Sequence, residues 1–156
     1  MKCRRFVGAL LLLLALPVPA SAGAAFWVWH RADRLKDAEI AELQRQEVQN
    51  VYWNVGEMEL REGVWGWNAR VLDAAALGGP LRVVPVVRLS AETRTPFEPA
   101  AWAKLAARLR AVATKDGELQ LDFDCPDRLL AAYAGALAEL RRTIPRLSVK
   151  IGRAHV

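Results

Sequence analysis

Two aspartates one residue apart, Asp122 and Asp124, are the side chains of this sequence best suited to acid-base chemistry. They lie toward the end of the stretch Glu118–Pro126, where apolar and polar residues alternate with the period of two typical of a β-strand. Carboxylates this close repel each other, which favours the protonated form of one of them, and a general acid needs that form. The alternative is structural, with the pair capping the next helix or meeting an arginine.

Strands and helices alternate along the chain around this stretch. Strands are predicted at 25–30, 50–57, 81–89, 118–126 and 147–150, with helices after Asp33 or Asp37 and at 69–77, 99–113 and 128–143. Such alternation favours a parallel sheet covered by helices, and the apolar run 81–89 is typical of a strand buried on both faces. In (β/α) barrels the active site lies at the carboxyl end of the strands, where Asp122 and Asp124 stand.

Further polar and aromatic residues stand near the ends of the other predicted strands. Glu57 ends the second strand and is a third acidic candidate, and Trp29 and His30 end the first strand and could line a binding site. The alternative places Trp27 or Trp29 in the core and pairs His30 with a backbone group. Arg88 lies in the apolar third strand, and a buried arginine needs an anionic partner, which either aspartate or a ligand could supply.

The segment Met58–Asn68 interrupts the alternation after the second strand. It is predicted to be an excursion, with a hairpin turn at Glu62-Gly63. Trp65 and Trp67 share one face if this segment is extended. That face suits stacking on sugar rings, and equally suits covering the core of the domain itself.

The two ends of the chain are expected not to belong to the folded domain. Residues 1–22 have the basic start, the apolar run and the small residues before a cleavage site that characterise a secretory signal peptide. The apolar run is too short to span a membrane, and no later segment approaches that length. Residues 151–156 can be back-translated into a string that resembles a sequencing adapter; the alternative is a natural tail. We therefore expect an exported domain at 23–150, periplasmic or extracellular, with no membrane partner after cleavage.

Charge and cysteine content exclude several classes of function. The chain has 22 basic and 17 acidic residues, and setting aside Lys2, Arg4, Arg5 and Arg153 leaves 18 against 17. A nearly neutral domain gives no reason to expect a nucleic-acid partner. Cys125 is the one cysteine outside the signal segment, which excludes an internal disulfide and a thiolate cluster there. No metal and no cofactor are predicted, because no metal-ligand spacing is present.

The chain resembles a bacterial family of secreted proteins called domain of unknown function 3142. The resemblance lies in three stretches, Phe26–Arg31, Val84–Arg88 and Leu119–Pro126. The resemblance runs over most of the region 23–150. It implies a (β/α) barrel similar to glycoside hydrolases and no established activity. With this resemblance, the chain is interpreted as the N-terminal part, about five strands, of a truncated (β/α)8 TIM-type barrel.

A narrower resemblance concerns residues 116–126. This stretch is similar to the D-G-x-D-x-D-x-E-x-P signature that chitinase-type glycosidases carry on their fourth barrel strand, with one extra residue after Gly117. The resemblance implies that Asp124 takes the place of the general acid and Asp122 that of the assisting carboxylate. Gln120 replaces the first paired aspartate of the signature, and aspartate replaces its glutamate.

Two hypotheses of different class follow. In the first, the protein is glycoside hydrolase-like and binds a glycan: Asp124 protonates the leaving oxygen, Asp122 or Glu57 is its partner, and substrate is held by Arg88, Trp29, His30 and Gln120. In the second, it is a noncatalytic glycan-binding or envelope-associated protein on the same scaffold. The aspartates are then structural and paired with the arginine. A metal-dependent hydrolase is a third class, but the sequence contains no motif with the spacing of metal ligands.

Overall fold

The strands of the sheet follow one another in sequence order. The computed structural model describes residues 24–70, 74–91 and 97–150, and in that part of the chain the strands are β1 (Ala24–Val28), β2 (Val48–Arg61), β3 (Val64–Arg70), β4 (Arg82–Ala91), β5 (Glu118–Phe123) and β6 (Arg146–Lys150). They form one sheet in the order β1-β2-β4-β5-β6, every neighbouring pair on this path being parallel. The predicted α/β class with a mostly parallel sheet is confirmed.

Helices connect the successive parallel strands. They are α1 (Asp37–Arg45), α2 (Ala74–Leu77), α3 (Pro99–Arg110) and α4 (Leu130–Arg141), the last preceded by a 3-10 turn at Asp127–Leu129. The residue that caps α1 is Lys36, and the one that caps the 3-10 turn is Pro126. None of the described helices has the length and apolar character needed to cross a membrane. The predicted signal segment 1–22 and the suspected artefact 151–156 lie outside the described residues.

The second strand is longer than predicted because it continues into an antiparallel hairpin. One edge of β2 pairs with β1 over its first half and with β3 over its second half. The turn lies at Glu62 and Gly63, as predicted, and both residues have positive φ, as two-residue hairpin turns of type I′ require. Ala69 and Arg70 belong to β3, so the helix predicted from residue 69 is wrong at its start.

One face of the sheet packs beneath the helices and forms the hydrophobic core. Leu119, Leu121 and Phe123 of β5 all lie in this core, as their alternation predicts. The indole N–H of Trp102 in α3 donates to the backbone oxygen of Ala136 in α4 at 3.0 Å, so two neighbouring helices are bonded over the same core. Full burial of each large apolar side chain contributes roughly 1.5–3 kcal/mol, which makes this face the main source of stability.

The opposite face of the sheet is concave. The indole nitrogen of Trp27 on β1 donates to the amide oxygen of Gln120 on β5 at 3.0 Å, and the ammonium of Lys150 on β6 lies 4.9 Å from the ring centre of Trp29, just after β1. In a flat sheet the first and last of these strands would be four spacings of about 4.8 Å, roughly 19 Å, apart. The sheet therefore curls, bringing the two edges of the described sheet toward each other.

Candidate functional site

A row of four charged residues crosses the concave face at the carboxyl ends of the parallel strands. Arg88 of β4 is the register partner of Glu57 on β2 and of Asp122 on β5, and Asp122 is in turn the partner of Lys150 on β6. In-register neighbours in a sheet project to the same face. We call these four residues the charged row; its signs alternate from strand to strand.

Glu57 belongs to the charged row because β2 contains a bulge. The pairing with β4 shifts between Asn54 and Gly56, which leaves Val55 as an extra residue. The side-chain oxygen of Asn54 accepts a hydrogen bond from the backbone N–H of Gly56 at 2.9 Å and closes the bulge. Strict alternation would have put Glu57 on the face opposite Tyr52 and Asn54; the bulge moves it to theirs.

Asp122 is the buried acid of the row. Its side chain is only 11 % exposed, and its Oδ1 lies 3.8 Å from the ammonium nitrogen of Lys150. Arg88 is its register partner on the other neighbouring strand. A carboxylate removed from water needs opposite charge nearby, and Lys150 provides it.

Asp124 lies one residue beyond β5, at the rim. Its side chain is 53 % exposed, and its Oδ2 lies 3.8 Å from a guanidinium nitrogen of Arg88. The expectation that Arg88 is buried is wrong, since its side chain is 47 % exposed. The apolar run predicts a strand buried on both faces, but Arg88 stands near its carboxyl end, where the sheet opens to solvent.

An aromatic and polar layer lies next to the charged row on the concave face. Trp27 stacks on Tyr52 with ring centres 4.7 Å apart, and it reaches over β4 to Gln120. The amide nitrogen of Gln120 lies 3.4 Å from the hydroxyl oxygen of Ser148, to which it donates a long hydrogen bond. Trp27 remains 41 % exposed and also lines a cavity between β1 and α1.

The two candidates at the end of β1 have different positions. Trp29 is brought to the charged row, where its ring faces the ammonium of Lys150. His30 is exposed, has a positive φ of 53°, and has no hydrogen bond or ion pair to the row within the described part of the chain. The turn that holds both is anchored because the Nε1–H of Trp53 donates to the backbone oxygen of Arg31 at 2.9 Å, while the Arg31 guanidinium pairs with Glu39.

Behind Asp122, two ionisable groups lie buried. Burial raises the pKa of Tyr133 far above its usual value, and the nearby Cys125 and Asp122 raise it further. Burial also raises the pKa of the Cys125 thiol, with a smaller contribution from Asp127. Cys125 therefore stays a neutral thiol and is unsuited to act as a nucleophile.

A small cavity of about 180 Å³ opens beside the row, at the carboxyl ends of β4 and β5. Its polar lining consists of Arg88, Ser90, Asp124 and Arg128. The larger cavity, about 580 Å³, lies between β1 and α1, away from the aspartates, and is mostly apolar. Of the candidate residues, Arg88 and Asp124 line the smaller cavity and Trp29 lines the larger one.

Sequence reasoning did not single out four residues of this region: Lys150, Tyr52, Ser148 and Arg128. Only Lys150 carried a usable signal, because it ends a predicted strand next to the one that carries Asp122. Among the described residues, no group of three or more His, Cys, Asp or Glu side chains is arranged to hold a metal ion.

Comparison of the chain with protein-family models, with curated proteins and with solved structures found no match.

Proposed function

We propose that this chain is the first part of a glycoside hydrolase-like (β/α) barrel that acts on a glycan at the carboxyl ends of its strands. The observation that carries the proposal is the convergence of Asp122, Asp124 and the ring of Trp29 on the charged row at this one end of the sheet. Carboxylates supply the acid and base of glycoside hydrolysis, and aromatic rings stack on sugar rings.

The barrel part of the proposal is supported by strand order and curvature. Consecutive parallel strands joined by helices are the arrangement of a (β/α) barrel, whereas doubly wound sheets reverse their order at a switch point. No reversal occurs along β1-β2-β4-β5-β6. The contacts of Trp27 with Gln120 and of Trp29 with Lys150 cross the concave face as side chains do in a barrel interior.

The hydrolytic step assigns different roles to the two aspartates. Asp124, exposed at the rim beside the cavity, donates a proton to the glycosidic oxygen, and the leaving sugar departs as an alcohol. The second carboxylate, Asp122 or Glu57, stabilises the developing positive charge or activates the water that completes hydrolysis. Asp122 is the better stabiliser, because its burial beside Lys150 holds it in one position.

The test is the Asp124→Asn substitution in the full-length protein, with Asp127→Asn as the matched control on an exposed aspartate three residues away. Release of reducing ends from a panel of oligosaccharides is measured. Loss of a general acid is expected to lower kcat/KM by roughly 100-fold to 10,000-fold, while the control keeps its activity. An Asp124→Asn protein that hydrolyses its substrate at the unchanged rate rules out Asp124 as the acid.

The second candidate is a noncatalytic glycan-binding or envelope-associated protein on the same scaffold. It is favoured by one observation: each aspartate already has a cation 3.8 Å away, an arrangement that suits structural charge balance. The two candidates differ in one result. Glycan binding without any turnover, unaffected by Asp124→Asn, supports the binder.

The proposal that the barrel is truncated is tested by sequencing the gene. Sequencing past the codon of Lys150 is expected to continue the frame into about three further strand–helix units, since barrels of this type have eight. A stop codon after Val156 in independently prepared DNA would contradict the truncated barrel and favour a structural role for the aspartate pair.

A further inference from the structure

The cavity at the ends of β4 and β5 contains two guanidinium groups that the described protein leaves without hydrogen bonds. Arg88 has one ion-pair contact, to Asp124 at 3.8 Å, which is too long for a hydrogen bond. Arg128 lies in the 3-10 turn that follows β5 and has no hydrogen bond or ion pair to any described residue. Guanidinium carries five N–H donors in a planar fork that matches a carboxylate or phosphate oxygen pair.

The charge of the cavity favours an anionic ligand. Two arginines and one aspartate are among the described residues that line it, so its formal charge is positive in either protonation state of Asp124. In the proposed glycan substrate, the carboxylate of a uronic acid supplies the anion that matches a guanidinium fork. A cavity of about 180 Å³ also has room for little more than one sugar ring.

We infer that this cavity is a subsite for the carboxylate of a uronic acid residue, bound by the guanidinium groups of Arg88 and Arg128. The inference rests on the proposed function and narrows its substrate class to acidic glycans. Ser90, half-buried in the lining, offers a hydroxyl to the ring of the same sugar. Asp124 belongs to the same lining, so it then lies next to the glycosidic bond of the bound sugar.

The experiment measures binding to the full-length protein by calorimetry. The ligands are trisaccharides of galacturonate, mannuronate and guluronate, each compared with its methyl ester, which keeps the skeleton and removes the charge. Inorganic phosphate is a further ligand. The variants are Arg128→Gln and Arg88→Lys, with Arg108→Gln on the exposed side of α3 as the control.

At least one free acid is expected to bind about tenfold or more tightly than its ester, because charge-assisted hydrogen bonds to guanidinium are made only by the acid. Arg128→Gln should remove most of this preference. Arg88→Lys should weaken it, because lysine keeps the charge but not the fork. Arg108→Gln should leave it unchanged.

Three results overturn the inference. Equal binding of acid and ester excludes the subsite but leaves the proposed glycan function standing. Phosphate that binds more tightly than every uronate excludes the carboxylate assignment. Failure of every acid and ester to bind also excludes the subsite, and the proposed function is then judged separately by the effect of Asp124→Asn on neutral glycans.

Discussion

Replacement of Gly56 by alanine should destabilise the protein severely, because two physical costs coincide at this residue. Its φ is +153°, a conformation that residues with a Cβ rarely adopt, and an added Cβ would lie 2.3 Å from the backbone oxygen of Ala69 on β3. The conformational strain costs roughly 1–3 kcal/mol. The overlap adds a similar amount, about 1–3 kcal/mol, since it is with backbone rather than with a flexible side chain.

Two other glycines of the same hairpin separate these costs. Gly63 has a φ of +75° but open space around its Cβ position, and Gly66 has open space and no positive φ. After the gain from a less flexible unfolded chain, about 0.4–1 kcal/mol, Gly63→Ala should lose only about 0.5 kcal/mol. Gly66→Ala should change stability by less than about 0.5 kcal/mol, and Gly56→Ala should lose about 3 kcal/mol.

The assay is urea unfolding of the full-length protein at one fixed protein concentration. With a slope of about 2 kcal/mol per molar urea, the loss at Gly56 lowers the midpoint by roughly 1.5 M. Such a result would mean that the bulge which brings Glu57 to the charged row depends on this glycine. If Gly56→Ala unfolds at the same urea concentration as Gly66→Ala, the close approach of β3 and the bulge are not as described.

Two further predictions concern pH and a buried hydroxyl. The guanidinium of Arg31, with the backbone N–H of Lys36, lowers the pKa of Glu39 from 4.5 to about 2, so its contribution to stability is present above pH 4.5 and is lost as the pH falls toward 2. Glu39→Gln should therefore flatten the acid side of the stability curve, measured by urea midpoints across this range; a curve parallel to that of the unsubstituted protein would contradict it. The Tyr133 hydroxyl is buried without a hydrogen bond within the described residues, so Tyr133→Phe should leave stability at pH 7 unchanged or raise it by up to about 1 kcal/mol. Burial raises the pKa of Tyr133 above its usual value of 10, so the folded protein should lose stability as the pH rises above 10, where the unfolded chain ionises its tyrosine more readily. The phenylalanine variant should lack this loss. A destabilised Tyr133→Phe at pH 7 would mean that the hydroxyl has a partner.

The parts of the fold that could be predicted are those set by local periodicity and turn chemistry. The alternation of Leu119, Leu121 and Phe123 places these three side chains in the core, and Glu62-Gly63 forms the turn expected of it. The segment that contains β3 was predicted as an excursion with a hairpin turn at Glu62-Gly63. The edge of β2 that β3 occupies depends on where β1 ends, and no local pattern contains that information.

The candidate site was predictable in its acids and much less so in its surroundings. Asp122 and Asp124 end a strand whose polarity alternates, and Arg88 interrupts an apolar run, so each stands out against its neighbours in sequence. The burial of these side chains could not be predicted from the sequence: Arg88 is exposed, and Asp122 rather than Asp124 is the buried aspartate. Arg128 lies close to other charged residues in the sequence, and its spacing from them does not indicate a role in binding.

The sequence by itself determined the order of strands and helices, the parallel α/β class and the end of β5 at which the acids stand. Backbone geometry repeats every two or 3.6 residues, so the apolar pattern is sufficient for these features. Only the tertiary structure decided that Glu57 shares a face with Asp122, because one bulged residue reverses the alternation. Only it brought Lys150 to Trp29, because the curvature of a sheet arises from the packing of residues far apart in the chain.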